Sequence, residues 1–147
     1  MPESKALSVF RALKESRRRL EKKERSLALL RASAEQCTAS YGLSGGGASA
    51  HLESLLEANA IRLAALEKEI ADLHVQVQEL AQEVTALAAS LEDPYEQRIL
   101  LGFYLHGETY TVLGAVLSYS PTHIRRLHDK AIAELDARLE EEEGGAA

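Results

Sequence analysis

Residues 109–135 read TYTVLGAVLSYSPTHIRRLHDKAIAEL, which is two short apolar-periodic segments separated by a polar turn. Thr109 can cap the first segment, and Ser120 with Pro121 is a favourable start for the second. Gly114 sits where two helices joined by such a turn approach closely. The predicted buried side of the first helix comprises Val112, Leu113, Val116 and Leu117. This pattern predicts a helix-turn-helix.

The second helix of the pair, residues 121–135, is the candidate DNA-binding element. Its predicted buried side comprises Ile124, Leu127, Ala131, Ile132 and Leu135, which leaves charged and polar residues on the opposite side. In a helix-turn-helix this helix lies in the major groove, where Arg reads guanine and also neutralises phosphate. Hydroxyls and amides at the helix starts are candidate phosphate contacts. The predicted DNA-binding residues are Thr109, Ser120, Thr122, His123, Arg125, Arg126 and Lys130.

A third helix is predicted immediately before this pair. Asp93 is a good N-cap and Pro94 suits the first helical position. The apolar pattern runs to about His106, and Gly107 is a natural C-terminal stop. Residues 93–139 are therefore predicted to form a small three-helix domain. The acidic residues 140–147 have nothing to pack against, so a disordered tail is predicted there.

Residues 50–91 carry a heptad pattern with apolar residues at two positions of each repeat. At about 1.5 Å per residue, such a helix is on the order of 60 Å long, too long to be covered by a small globular domain. Its apolar seam therefore needs a partner helix. β-branched residues at one of the two positions favour parallel pairing between chains. The predicted oligomerisation residues are Leu56, Leu63, Leu66, Ile70, Leu73, Val77, Leu80, Val84 and Leu87.

Residues 4–38 form a narrower apolar stripe, and the Gly-rich residues 39–49 are predicted to be a loop. The charges of the two long segments are opposite, with ten Lys and Arg against five acidic residues over 1–40, and two against eight over 41–92. Opposite charge across a Gly-rich turn favours an antiparallel hairpin. Residues 1–92 are thus predicted to be a helical hairpin or coiled coil that oligomerises, and a dimer of hairpins satisfies both patterns.

A basic run at Arg17–Arg19 with neighbouring Lys residues has two interpretations. It can be a nucleic-acid arm, or it can be a solvated face that pairs with nearby Glu residues and with the acidic second helix. The second interpretation describes most such runs.

Composition favours an all-α fold, because Ala and Leu are abundant and only 5% of the residues are aromatic. The net charge of −6 argues against a general polyanion binder. The single Cys37 cannot form an internal disulfide, which favours a reducing compartment. Because the chain has no apolar run of about 20 residues, we expect a cytoplasmic protein without a membrane-spanning segment.

Catalytic and metal-binding patterns are missing from the sequence. The five His residues have no partners at metal-ligand spacing, and the chain has neither a phosphate-binding Gly-rich loop after a strand nor a nucleophile elbow. We therefore expect no enzyme activity, no metal and no cofactor.

Residues 94–135, PYEQRILLGFYLHGETYTVLGAVLSYSPTHIRRLHDKAIAEL, resemble region four of sigma-70 family factors. They are more similar still to the C-terminal domains of small phage-encoded regulators of the RinA and ArpU type, which are late-gene activators. The matching features are the Tyr104-Leu105-x-Gly107 helix end, Ser120, the segment Ile124–His128, Ala131 and Leu135. The resemblance covers about a third of the chain.

The resemblance implies a phage or prophage transcription regulator. It implies that Thr122, Arg125 and Arg126 face the promoter's upstream element, with Ser120 and Thr109 near phosphates. RNA polymerase is the further partner that it suggests.

The leading hypothesis from the sequence is a sequence-specific, double-stranded DNA-binding transcriptional regulator that acts as a homo-oligomer, with a dimer favoured. Two alternatives remain open. A phage DNA-packaging protein of the small-terminase kind also combines a helix-turn-helix with oligomerising helices. A coiled-coil adaptor would use only the long helices.

Overall fold

Five α-helices and one π-helical segment form the structure, a computed structural model that describes residues 4–44 and 49–145. The described residues contain no β-strand, so the predicted all-α class is confirmed. The helices are α1 (Lys5–Ser44), α2 (Ser49–Ala89), α3 (Pro94–Leu100), α4 (Tyr110–Leu117) and α5 (Pro121–Gly145), with the π-helical segment (Leu101–Leu105) after α3. None of these helices is long and apolar enough to cross a membrane.

The two long helices are longer than predicted at the Gly-rich segment. Residues 39–49 were predicted to be a loop, but α1 continues to Ser44 and α2 begins at Ser49. The prediction was therefore wrong for residues 39–44 and for Ser49, and residues 45–48 lie outside the described ranges. A single glycine such as Gly42 costs a helix only about 1 kcal/mol, which is too little to end it.

The chain divides into two compact units, one holding residues 17–75 and the other holding the residues on either side of that range. In the first unit, ion pairs connect the basic helix α1 to the acidic helix α2, and Leu20, Ile70 and Leu73 are buried. The two helices run antiparallel, because Glu24 contacts His74 whereas Arg31, which is later in α1, contacts Glu67, which is earlier in α2. The ion pairs are Lys23–Glu69 (2.9 Å), Arg31–Glu67 (3.0 Å) and, when the His is protonated, Glu24–His74 (3.1 Å).

The residues predicted to mediate oligomerisation differ widely in exposure. Ile70, Leu73 and Val84 are buried by their own chain, and Leu56 is exposed. The intermediate ones are Leu63, Leu66, Val77, Leu80 and Leu87. Ile70, Leu73 and Val84 are therefore not exposed for contact with a second chain, because packing within their own chain already covers them.

In the second unit, the first residues of α1 pack with the end of α2 and with the C-terminal elements in one core. The Phe10 and Tyr104 ring centroids are 5.0 Å apart, and the Ala6 N–H donates to Asp136 Oδ1 at 3.0 Å. The predicted domain boundary between residues 92 and 93 falls within this compact unit. The buried residues are Ala6, Phe10, Leu13, Val84, Leu91, Leu100, Tyr104, Ala131, Ile132 and Leu135.

Helix α3 begins as predicted, and its continuation differs. Asp93 Oδ1 accepts a hydrogen bond from the Tyr95 N–H at 2.9 Å, and Pro94 is the first helical residue. The predicted helix to His106 is α-helical only to Leu100, after which the chain forms the π-helical segment. Gly107 has a positive φ of 70°, a conformation that glycine adopts without strain and that suits a helix end.

The buried side of α4 also differs from the prediction. Val112 and Val116 are exposed at 46% and 58%, so their predicted burial was wrong. Leu113 and Gly114 are buried and Leu117 is half-buried. Gly114 faces the backbone of the turn that follows, and this orientation of α4 directs Val112 and Val116 toward solvent.

The predicted disordered tail is helical as far as the structure describes it. α5 continues through Glu140 to Gly145, and residues 146–147 lie outside the described ranges. Two contacts explain the difference, because Leu139 packs against the core and Glu143 forms an ion pair with Lys5. Glu is also a good helix former.

Candidate nucleic-acid interface

Side-chain caps fix the starts of α4 and α5. Thr109 Oγ1 accepts a hydrogen bond from the Val112 N–H at 3.2 Å, and Ser120 Oγ accepts one from the His123 N–H at 3.2 Å. Each cap satisfies one of the backbone donors that a helix start leaves unpaired. Both hydroxyls can still donate to an acceptor outside the protein.

A left-handed residue and a glycine shape the three-residue turn between the two helices. Ser118 has φ 63° and ψ 41°, and the N–H groups of Ser118 and Tyr119 both point to the Gly114 carbonyl oxygen, at 2.9 Å for Tyr119. A Cβ on Gly114 would lie 2.5 Å from the Tyr119 carbonyl oxygen. The close approach at Gly114 is therefore with the backbone of the turn, and only glycine fits there.

A small apolar cluster holds α4 and α5 against α3. Ile99, Leu113 and Ile124 are fully buried in it, and Leu117 and Leu127 pack around them. Because Ile124 points inward, the residues on the far side of α5 face solvent.

Arg125 and Arg126 are both exposed, and neither forms an ion pair with a residue in the described ranges. They point in different directions, since successive residues of an α-helix are about 100° apart. Arg126 shares the outer face of α5 with exposed Thr122, opposite Ile124. Arg125 lies at the flank of that face, where it lines a pocket with Arg11 and Lys14 of α1.

His123 and Lys130 lie on the other flank and already have neighbours. The His123 ring is 4.7 Å from the Tyr119 ring, centroid to centroid. Lys130 Nζ is 3.6 Å from Oε1 of Glu96, a carboxylate that is only 1% exposed. Lys130 therefore already faces a negative charge of its own chain, which weakens its prediction as a phosphate contact.

Glu96 itself is the unusual carboxylate of this region. Both carboxylate oxygens are buried, and neither has a hydrogen-bond partner among the residues that the structure describes. Burial raises the pKa of Glu96 above 4.5, and Glu134 raises the pKa further, whereas Lys130 lowers it. Glu96 carries no signal in the sequence, because a Glu in the first helical turn is normally solvent-exposed.

Arg11 and Lys14 are neighbours of α5 that the sequence did not predict. Both belong to a helix that was assigned to the oligomerisation region, and their proximity to Arg125 depends on tertiary packing of Phe10 and Leu13 into the core. The spacing of Phe10 and Leu13 on one helical face signalled a buried stripe, but it did not identify what that stripe packs against.

In the ranges that the structure describes, no group of three or more His, Cys, Asp or Glu is arranged to hold a metal ion. No protein-family model, no curated protein and no solved structure matches this chain. The assignment of the interface therefore depends on the geometry of residues 109–135 alone.

Proposed function

We propose that α4, the turn and α5 form a helix-turn-helix, and that the protein is a sequence-specific DNA-binding transcriptional regulator of phage or prophage type. The observation that supports it best is the outer face of α5, where Thr122 and Arg126 are exposed directly opposite the fully buried Ile124. A helix seated in this way can enter a major groove without exposing its apolar side.

In this proposal Arg126 is the main base-reading residue. Its guanidinium can donate two hydrogen bonds to the O6 and N7 of a guanine, and Thr122 contacts a neighbouring base. Arg125 and the caps Thr109 and Ser120 contact phosphates and set the register of the helix on the duplex. This division follows from the different directions of the two arginines.

We further propose that the protein acts as a dimer in which α1 and α2 form a hairpin. Residues 93–139 carry five basic against six acidic residues, so a single copy gains little from phosphate neutralisation. Linking two copies compensates through avidity. Leu56, Ile61 and Val75 are exposed on α2 and are apolar residues that a second chain can reach.

The test is fluorescence anisotropy of the full chain with duplexes from the region upstream of its own reading frame, at 50 mM and 150 mM salt. We expect specific binding that weakens at the higher salt. Arg126→Ala should weaken binding to the preferred site by roughly 1–3 kcal/mol and reduce the discrimination between duplexes. The matched control is Arg62→Ala, which removes an exposed arginine of α2 in the other compact unit and should leave DNA binding as in the unaltered chain.

Three outcomes contradict the proposal. They are the absence of DNA binding by a folded protein at either salt concentration, binding without preference for any duplex, and equal losses for the two arginine variants. Light scattering on the same samples tests the dimer separately, because a monomeric mass contradicts the dimer and leaves the DNA result intact.

A further inference from the structure

A pocket of about 320 Å³ opens on the flank of α5, beside the proposed groove-facing side. Three cationic side chains line it, Arg11 and Lys14 from α1 and Arg125 from α5, against a single carboxylate, Asp129. This excess of positive charge occurs in a chain whose formal net charge is −6. We call it the cationic pocket.

Two of the three positive charges of the cationic pocket, those of the arginines, are not neutralised by an ion pair in the described part of the chain. Among the residues that the structure describes, neither Arg11 nor Arg125 has an ion-pair partner. Lys14 Nζ lies 4.0 Å from the centroid of the Phe103 ring. Asp129 Oδ1 is already 2.9 Å from His128 Nδ1. Like charges gathered around one pocket repel each other, and an anion in the pocket would relieve that repulsion.

The aromatic wall of the cationic pocket is held in place. The Phe103 and Tyr110 rings stack with centroids 4.6 Å apart and planes within 17°. Behind them the Tyr104 hydroxyl lies 2.7 Å from Nε2 of the buried His128. Burial raises the pKa of Tyr104 far above its ordinary value, so this hydroxyl stays neutral. The wall is therefore preorganised and does not need to rearrange around a ligand.

We propose that the cationic pocket is a binding site for a phosphate-type oxyanion. A terminal phosphate carries a charge of about −1.5 to −2 and three acceptor oxygens, which matches two guanidinium groups and one ammonium around a partly enclosed space. Arg presents paired N–H donors that fit two of those oxygens. The phosphate comes from a free phosphorylated molecule or from the DNA backbone, and only the second source rests on the proposed function.

The first experiment uses pyrophosphate as the probe and isothermal titration calorimetry of the full chain as the readout, with ionic strength held constant by NaCl. We expect saturable binding of one pyrophosphate per chain. Arg11→Gln and Arg125→Gln should each weaken it about tenfold, since each removes one charge-assisted contact. Arg125→Lys keeps the charge and should lose less. Arg62→Gln, the same change at an exposed arginine of α2 in the other compact unit, should leave pyrophosphate binding unaltered.

The second experiment distinguishes the two sources of phosphate. Pyrophosphate is added to the protein–DNA complex at constant ionic strength, and anisotropy is followed. Displacement of DNA by pyrophosphate, together with weaker binding of every duplex by Arg11→Gln, supports the DNA backbone as the source. Unchanged DNA binding, or no DNA binding at all, with pyrophosphate still bound supports a free phosphorylated molecule.

Two results overturn the cationic pocket as an oxyanion site. One is the absence of pyrophosphate binding by a protein whose circular dichroism shows it folded. The other is binding that Arg11→Gln and Arg125→Gln weaken no more than Arg62→Gln does, because the anion then binds elsewhere. Neither result bears on whether α5 reads DNA through Arg126.

Discussion

The long helices over residues 17–75 and the short elements over residues 93–135 are stabilised in different ways. Between the long helices, contacts are exposed ion pairs and a stripe of similar aliphatic residues, so one contact can replace another. In the short elements, single residues fix the backbone, as Gly114 and the left-handed Ser118 do in the turn. A region that must present side chains in one orientation depends on such irreplaceable positions.

The largest expected effect concerns the glycine in the turn. Gly114→Ala places a methyl group 2.5 Å from the Tyr119 carbonyl oxygen, a backbone atom that cannot turn away. We expect the variant to lose about 3 kcal/mol of unfolding free energy, as for other substitutions that force backbone strain. Urea unfolding followed by circular dichroism at 222 nm measures the loss.

Gly144→Ala is the matched control for that variant. A Cβ on Gly144 meets no atom within 4 Å, and alanine favours the helix, so this change should stabilise the protein slightly. If the turn can accommodate the extra methyl group, the two alanine variants will have similar unfolding free energies. That result would contradict the contrast drawn between the two regions.

The next prediction compares an ion pair of the short elements with an ion pair of the long helices. Arg98 and Glu108 form a two-pronged ion pair at 2.8 and 3.1 Å, and the missing Cβ of Gly102 leaves room for it. The hydrogen bond from Arg98 lowers the pKa of Glu108. Arg31 and Glu67 form a single contact at 3.0 Å with both side chains more than half exposed.

We expect Glu108→Gln to cost about 1.5 kcal/mol of unfolding free energy and Glu67→Gln less than about 0.5 kcal/mol. Because the pKa of Glu108 is lowered in the folded state, its contribution is complete above the ordinary value of 4.5 and is lost as pH falls below it. Urea unfolding at pH 7 and at pH 3 measures both variants. Equal costs at pH 7, or a cost for Glu108→Gln that persists undiminished at pH 3, would contradict this account.

The sequence predicted most of the local structure in both regions, because caps and periodicity act over a few residues. Asp93 and Gly107 are examples, and both have the predicted roles. It did not predict that Phe10 and Leu13 pack into the same core as α5, since a stripe on one helix does not specify its partner. The cationic pocket depends on that packing, so Arg11 and Lys14 gave no signal in the sequence.

The smallest effect concerns the buried Glu96 and has the opposite sign. Its pKa is raised mainly by burial, so the folded state binds a proton more tightly than the unfolded state does, and the ionised carboxylate destabilises the protein at neutral pH. Glu96→Gln removes that charge at constant shape and should raise the unfolding free energy at pH 7 by about 0.5–1 kcal/mol. The gain should shrink as pH falls through the raised pKa, because protonation of Glu96 in the folded state removes the buried charge.

Urea unfolding at pH 4.5, 6 and 7 measures this gain, with Glu92→Gln as the exposed control that should change little at any of them. The attraction to Lys130 stabilises the ionised Glu96 and would be lost in Glu96→Gln. At 3.6 Å and with Lys130 largely exposed, we expect this attraction to offset only part of the free-energy cost of burying the charge. A loss of stability in Glu96→Gln at pH 7 would show that this attraction exceeds the cost of burial. Glu96 would then stabilise the start of α3, as the exposed carboxylates of the long helices stabilise their own pairing.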